Sequence, residues 1–276
     1  MEKKSDFPVY ASIVDGFKKY NLEVDYYDKS ANLETILQDN KDADLFVGMV
    51  LYKHIFSLND PNVKRLVEQF KIKFLSIESG YGYFHWTTDT LKYRTYALCY
   101  NGMNGEASFI RPEYSNEKQS TAYPIKPWRS EDKGEYVLIC QQRSGDCTLK
   151  SKNIKAINIS KWTEDQVQKY KNLGYKTRIR PRRNQERSIE EDFKYAKFVV
   201  TCSSNSGVLS VLEGVPTVAT YPMSMVYDIC KNTKTPDRTQ WLKDLSYCHW
   251  TLEEITNGEP WSFLKNTDFK SILKNV

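Results

Sequence analysis

Residues 199–220, "VVTCSSNSGVLSVLEGVPTVAT", decide how this chain is read. Val199 and Val200 belong to a buried strand, and Ser203, Ser204, Asn205 and Ser206 form a polar turn. Val208, Leu209, Val211 and Leu212 then recur at helical spacing, Gly214 stops the helix, and Pro216 leads into a second strand, "TVATY". Strand, hydroxyl-rich turn and short apolar helix make one step of a parallel α/β sheet. The turn admits two readings. In one, Ser203 or Ser206 is simply the helix N-cap. In the other, the unpaired N–H groups and partial positive charge of the helix start, with the small Gly207, seat a phosphate.

The neighbouring strands weigh on that choice. "VLICQQRSGDCTLK" ends an apolar strand at Cys140 and continues into Arg143, Ser144, Gly145 and Asp146. That is the carboxyl end of a strand, where open parallel sheets bind ligands. "KTRIRPRRNQER" brings Arg178, Arg180, Arg182, Arg183 and Arg187 to the same edge. Guanidinium groups match phosphate in geometry as well as charge, whereas the outer arginines also suit a solvated basic face. Around these strands the pattern predicts a helix from the capping box "TEDQ" at Thr163 to Leu173, with Gly174 as its stop, and a short helix opened by "SIEE" at Ser188. After the quoted stretch, helices opened by Asp237 and by the "TLEE" box at Thr251 are expected to cross back over the first half.

The first half also alternates helix and strand. Val9, Ile13, Val14 and Phe17 share one helical face, and a β-like run "LEVDYY" starts at Leu22. The strand "DLFVGMV" (44–50), a helix from Pro61 carrying Val63, Leu66, Val67 and Phe70, and the strand "KFLSIESG" ending at Glu78 follow. This alternation predicts a second parallel sheet, although the opening strand of a first βα step is short or absent. In "SIESGYGYFHWTTDTLKYRTYALCY" (76–100), Glu78, His85, Asp89 and Arg94 flank a glycine-rich aromatic turn. Glu78 or His85 suits a general base for an acceptor hydroxyl; a cap for Glu78 and a packed ring for His85 are the structural alternatives. Tyr81, Tyr83, Phe84 and Trp86 could stack on a sugar or base, and a lid packed on itself would read the same.

The stretch from Arg111 to Gly134, with three prolines and no periodicity, reads as a linker, which gives domains at 1–127 and 128–276. Composition adds bounds. At 276 residues, 27% charged and 40% apolar, the chain is ordinary for a soluble globular protein. The net charge of +5 supports phosphate-bearing partners without proving nucleic-acid binding. Neither a secretory signal nor a membrane span is present in this sequence, so a cytoplasmic location is expected. The six cysteines (Cys99, Cys140, Cys147, Cys202, Cys230, Cys248) form no CxxC pair and read as reduced packing residues. His54 and His249 have no metal-ligand spacing, so no metal site is expected. GxSxG, HExxH, GxxxxGK[ST] and GxGxxG are all missing, which leaves hydrolase, zinc-protease, P-loop and dinucleotide readings with little support.

The unit from "VLICQQRSGD" through "TRIRPR" to "VVTCSSNSGVLSVLEGVPTVAT" resembles the nucleotide-sugar-binding half of GT-B glycosyltransferases. More narrowly, it is similar to small glycosyltransferase-like proteins of bacteriophages and related bacterial surface-polysaccharide enzymes. The resemblance rests on Arg180-Pro181, on Ser203 to Asn205, on Gly214-x-Pro216, and on a tail, "DRTQWLKDLSYCHWTLEEITNGEPWSFL", with the same Trp, Asp-Leu and Trp-Thr landmarks. "SIESGYG" is similar to that group's acidic-glycine-tyrosine turn. Arg182 stands where the group often has a histidine.

The resemblance implies an α/β protein of two Rossmann-like domains with a central cleft, the donor on the second domain and the acceptor on the first. The donor is then a nucleotide-sugar, with UDP-sugar the first expectation, and no tightly bound cofactor. Arg143, Ser144, Gly145, Arg180 and Ser203, Ser204, Asn205, Ser206, Gly207 would bind it. Glu78 or His85 would deprotonate the acceptor in an inverting reaction, with Tyr81, Tyr83, Trp86 and Arg94 holding the acceptor. The implied acceptor is a hydroxymethylated pyrimidine in phage double-stranded DNA, modified in the host cytoplasm. The alternatives are a surface polysaccharide, or no catalysis at all in a nucleotide- or nucleic-acid-binding module of the same fold.

Overall fold

The computed structural model describes residues 8–25, 27, 31–49, 61–82, 95–111, 116–150, 156–182 and 186–265, with side chains through residue 262. In chain order the elements are α1 (Pro8–Lys18), α2 (Leu33–Asp39), β1 (Phe46–Met49), α3 (Pro61–Gln69), β2 (Phe74–Ser79), β3 (Tyr96–Tyr100) and β4 (Ser108–Phe109). Then come β5 (Tyr136–Cys140), α4 (Ile159–Asn172), β6 (Thr177–Arg180), α5 (Ile189–Tyr195), β7 (Ala196–Thr201), α6 (Asn205–Leu212) and β8 (Thr217–Ala219). Four helices close the chain: α7 (Tyr227–Cys230), α8 (Thr239–Ser246), α9 (Leu252–Thr256) and α10 (Glu259–Lys265). Two compact units result. The first comprises Met1–Gly102, Ala107–Thr121 and Lys243–Val276, and the second Met103–Glu106 and Ala122–Leu242.

In the first unit the sheet order is β1-β2-β3-β4. β1 and β2 are parallel, but β2 pairs with β3, and β3 with β4, antiparallel. The expected parallel sheet therefore holds for one strand pair only. β3 is the strand that alternation did not reveal, because Tyr96–Tyr100 is buried at every position and carries no period-two signal. Among the described residues, "LEVDYY" forms no strand at 22–25.

The apolar face of α1 packs where its spacing places it. Val9, Ile13 and Phe17 share a core with Leu75, Ile77, Tyr96, Leu98 and Tyr100 of the sheet, and with Tyr247, Trp250, Ile255 and Trp261 from the end of the chain. Burial of each such large side chain contributes about 1.5–3 kcal/mol, so the returning segment is integral to this core. Gly16 is required by the same packing, since a Cβ there would run into the Ile255 carbonyl and the Trp261 ring. α9 starts with the capping box expected from sequence: the Thr251 hydroxyl takes the Glu254 N–H while Glu254 takes the Thr251 N–H.

The second unit holds a wholly parallel sheet in the order β6-β5-β7-β8. β5 is the first strand in sequence and lies inside, so the chain winds outward from it on both sides. Leu138, Cys140, Phe193, Ala196, Val199 and Val215 form one core layer, and Tyr170, Tyr175 and Phe198 meet edge-on as an aromatic cluster. Ser188 caps α5 as expected. α4 begins earlier than its "TEDQ" box: Asn158 is the N-cap, and Thr163 lies inside the helix with its hydroxyl donating to the Ile159 carbonyl.

The stretch expected to be a linker is not a loose tether. Ala122 onward belongs to the second unit, where Arg129 donates to the Lys194 and Ala196 carbonyls and Arg238 to those of Val211 and Lys126. The Arg238 guanidinium lies over the Trp128 ring, 4.1 Å from its centroid, and the Trp128 indole donates to the Pro236 carbonyl. Gly214 takes a φ of +69°, and a side chain there would strike the Pro127 carbonyl.

Candidate functional site

A parallel sheet that winds outward from an inner strand has a topological switch point, and here it falls between β5 and β7. The loops leaving these two strands, 141–149 and 202–206, are the ones singled out from sequence. Arg143, Ser144 and Gly145 are exposed in a turn closed by the Asp146 N–H on the Arg143 carbonyl, with Gly145 at φ +74° and nothing crowding its α-carbon. The glycine supplies the left-handed conformation that the turn requires.

Behind this turn the polar residues bind one another. Gln142, two residues past β5, is buried; its Oε1 accepts from the Ser203 N–H at 2.9 Å, and its Nε2 donates to Thr148 Oγ1 at 2.6 Å. Ser203 Oγ lies 2.9 Å from the Thr148 carbonyl, 3.0 Å from Thr148 Oγ1 and 3.1 Å from Gln142 Oε1. Thr148 Oγ1 in turn meets Asp146 Oδ1 at 3.0 Å, and the other Asp146 oxygen faces Arg182 at 3.5 Å. The chain of contacts reaches all three strand ends.

The start of α6 is capped internally. Ser204 Oγ accepts from the Ser206 N–H, and the Ser204 carbonyl from the Gly207 N–H. The Ser204 N–H bonds the Thr201 hydroxyl, while Ser206 bonds the Cys140 thiol, which burial pushes up to about 12 against that contact. Gly207 is a packing requirement: an added Cβ would stand 2.7 Å from Thr201 Cγ2. Asn205 is half-buried in the first turn. Of the two readings of this turn, the helix cap is present in full, with Ser204 in the capping place expected of Ser203 or Ser206. The dipole of α6 still directs partial positive charge toward the switch point.

Arg180 was expected to meet a ligand phosphate, but its side chain is buried and ion-paired with Asp192, and it also donates to the Arg187 carbonyl at 3.0 Å. Arg178 takes the other Asp192 oxygen at 2.9 Å. The buried carboxylate thus holds two guanidinium groups, and Arg180 fixes the entry to α5. Arg183 lies outside the described residues.

In the first unit, Glu78 is half-buried near the end of β2 and accepts from the Ser76 hydroxyl at 3.1 Å. Tyr81, expected to offer its face to an acceptor, is buried instead, edge-on to Phe109 and 5.7 Å from the His249 ring. Burial raises its phenol well above the ordinary value. His85, Tyr83, Trp86 and Arg94 lie outside the described residues.

The C-terminal segment was expected to cross back over the first half; what sequence reasoning missed here are the partners of His249. His249 is fully buried, and its Nε2 accepts the Tyr81 N–H at 3.0 Å, which fixes the turn after β2. Burial, then the Lys118 charge, push its pKa well below the usual histidine range, so it is the neutral acceptor this bond needs. Lys118 Nζ donates to the His249 carbonyl at 2.8 Å, pairs with Glu254 at 3.1 Å and lies 3.5 Å from the centre of the Trp250 ring. The histidine and its partners are 131 to 168 positions apart, so no local spacing could have shown them.

Among the described residues no cluster of three or more His, Cys, Asp or Glu side chains could hold a metal, the six cysteines form no disulfide, and no helix is long and apolar enough to cross a membrane.

No protein-family description matches the chain, and no curated protein sequence matches it. Structures do. Thermosulfurimonas dismutans KpsC, the beta Kdo 2,7 transferase, superposes with a TM-score of 0.50 at 10% identity, over 96% of this chain and 98% of that one. The chain has a glycosyltransferase-like fold. The beta Kdo 2,4 transferase of the same KpsC matches with a TM-score of 0.40 at 11% identity, over 73% of this chain and 78% of that one. At such identities the likeness is one of fold, mixed α/β with two sheets of which one is parallel.

Proposed function

We propose that this protein is a glycosyltransferase that binds a nucleotide-activated sugar at the carboxyl edge of the second unit's parallel sheet and transfers the sugar to an acceptor hydroxyl. The observation that carries the reading is a glycosyltransferase fold extending over nearly the whole chain, with an exposed Arg-Ser-Gly turn at the switch point of its parallel sheet. Two Rossmann-like domains of the GT-B kind are part of this reading.

In the transfer, the acceptor oxygen bonds to the anomeric carbon as the bond to the donor phosphate breaks, and the nucleotide leaves with the electron pair. Developing negative charge on the phosphate is met by Arg143, by the N–H groups of the Ser144-Gly145 turn and by the dipole of α6. Arg180 acts by position, keeping α5 and the β6 exit in place. In an inverting reaction a general base, for which Glu78 and His85 are the sequence's candidates, takes the acceptor proton. The similar KpsC structure is that of a beta Kdo 2,7 transferase, and Kdo is a sugar, so a saccharide hydroxyl is the acceptor class proposed here.

Two measurements test this. A thermal-shift series with UDP, GDP and CMP identifies the base through the one nucleotide that raises the melting temperature. Turnover of the matching sugar nucleotides is then followed by mass spectrometry with oligosaccharide acceptors and, in parallel, with hydroxymethylcytosine DNA. Mass gain on the saccharide alone supports the proposal, and gain on DNA replaces the acceptor. Binding without turnover of any donor overturns the enzyme reading in favour of a binding module.

A further inference from the structure

We propose that Gln142 is a positioning residue that couples the two loops of the switch point, setting the spacing between the Arg143–Gly145 turn and the start of α6. The proton assignment supports this. The Ser203 backbone nitrogen is a donor, so the amide oxygen of Gln142 must face it and the amide nitrogen must face Thr148. Thr148 Oγ1 then accepts from Gln142 and donates to Asp146 Oδ1, and the Ser203 hydroxyl donates to the Thr148 carbonyl. Flipping the amide would turn its N–H groups onto the Ser203 N–H and its oxygen onto a hydroxyl already committed to Asp146. The network therefore fixes the orientation of the amide between the two loops.

Gln142, Thr148 and Ser203 are all buried, so the network is shielded from competing water. An apolar residue at 142 would leave the Ser203 N–H without its acceptor, and the cost of an unpaired buried donor falls on the opposite loop. Among the described residues the Ser203 N–H has no acceptor besides Gln142. A ligand held by both loops therefore depends on a residue that need not touch it. The role as a coupler stands on this geometry alone, whereas its consequence for nucleotide binding rests on the function proposed above.

Hydrogen–deuterium exchange and nucleotide titration of Gln142→Leu, Thr148→Val and Gln142→Glu test the coupling. In Gln142→Leu and Thr148→Val, amide exchange is expected to accelerate at least about tenfold in both 141–149 and 202–207, with α4 unchanged. Affinity for the stabilising nucleotide is expected to fall about tenfold as well.

Gln142→Glu supplies a rescue that a bulk packing role would not give. Its protonated carboxyl reproduces the acceptor-and-donor pattern of the amide, and burial raises the pKa of such a group. Asp146 reaches it through Thr148 Oγ1 and in turn faces Arg182 of the loop after β6, and Cys202 precedes its partner Ser203 in the chain. Affinity and exchange near wild type at pH 5, lost by pH 8, are expected. Acceleration confined to 141–149 overturns the proposal, as does a Gln142→Glu variant indifferent to pH. If Gln142→Leu does not fold, Thr148→Val decides by the same criterion. A wild-type protein that binds none of UDP, GDP or CMP strikes the functional reading alone, because the exchange pattern still decides the coupling.

Discussion

Among the described residues each unit has a buried ion pair, and the two are supported differently. In the second, Asp192 is surrounded by Arg178 and Arg180, which lie 12 to 14 positions before it, within a single β-α turn of the chain. In the first, Lys118 reaches Glu254 across 136 positions, and both partners have further support, Lys118 from a carbonyl and an indole face, Glu254 from Ser120 and the Thr251 N–H. The difference is between a charge neutralised by neighbours and a charge used to bind a distant segment. It separates a unit assembled along the chain from one assembled across it.

The largest expected effect breaks the local pair. Asp192→Ala leaves Arg180 buried without its carboxylate, and chemical denaturation should show a loss of about 3–5 kcal/mol. Glu254→Ala should cost less, because Lys118 retains the His249 carbonyl and the Trp250 ring. Equal losses would erase the distinction drawn between the two pairs.

Acid should discriminate next. His249 is held neutral when folded and takes up a proton when unfolded, so its contribution is complete above about pH 6.5 and is lost as pH falls below that value toward its depressed folded pKa. Glu254 adds in the same direction: burial pushes its pKa up, but Ser120, Lys118 and the Thr251 N–H together bring it below the ordinary value. The histidine alone gives a slope of up to about 1.4 kcal/mol per pH unit. His249→Gln, which offers Tyr81 an amide oxygen, should flatten that part of the stability–pH curve. An unchanged slope would show that the histidine is not the titrating group.

A smaller effect sharpens the reading of the switch point. Ser204→Ala should cost about 1 kcal/mol as a lost cap. Ser204→Asp keeps the cap and adds negative charge where a phosphate is proposed, so its stability should match wild type while nucleotide affinity falls. Equal affinity in the two variants would place the phosphate elsewhere. At the bottom of the scale, Lys161→Ala removes the exposed pair with Asp165 on α4, and less than about 0.5 kcal/mol should be seen by thermal denaturation.

The same contrast explains what could be read from sequence. The strands and helices of the second unit were legible because each polar turn separates two apolar runs, and because Ser188 and Gly174 mark their boundaries with local chemistry. Arg143 to Gly145 as an exposed turn at a strand end was legible for the same reason. The pairing of Arg180 was not legible, because a basic residue beside a proline gives no sign that Asp192, in the helix that follows, will neutralise it. Gln142 went unnoticed because an amide has no charge or motif to draw attention. In the first unit, β3 had no alternation to betray it, and the roles of Lys118 and His249 exist only through contacts more than 120 positions apart.

The core of the first unit contains Trp250, Ile255 and Trp261 alongside Val9, Ile13 and Phe17. During synthesis the second unit has all of its strands before the last part of the first unit has been translated. The apolar face of α1 therefore lacks its C-terminal partners until almost the whole sequence has left the ribosome. A nascent chain halted near residue 242 should carry a folded parallel sheet next to a first unit that chaperones still bind.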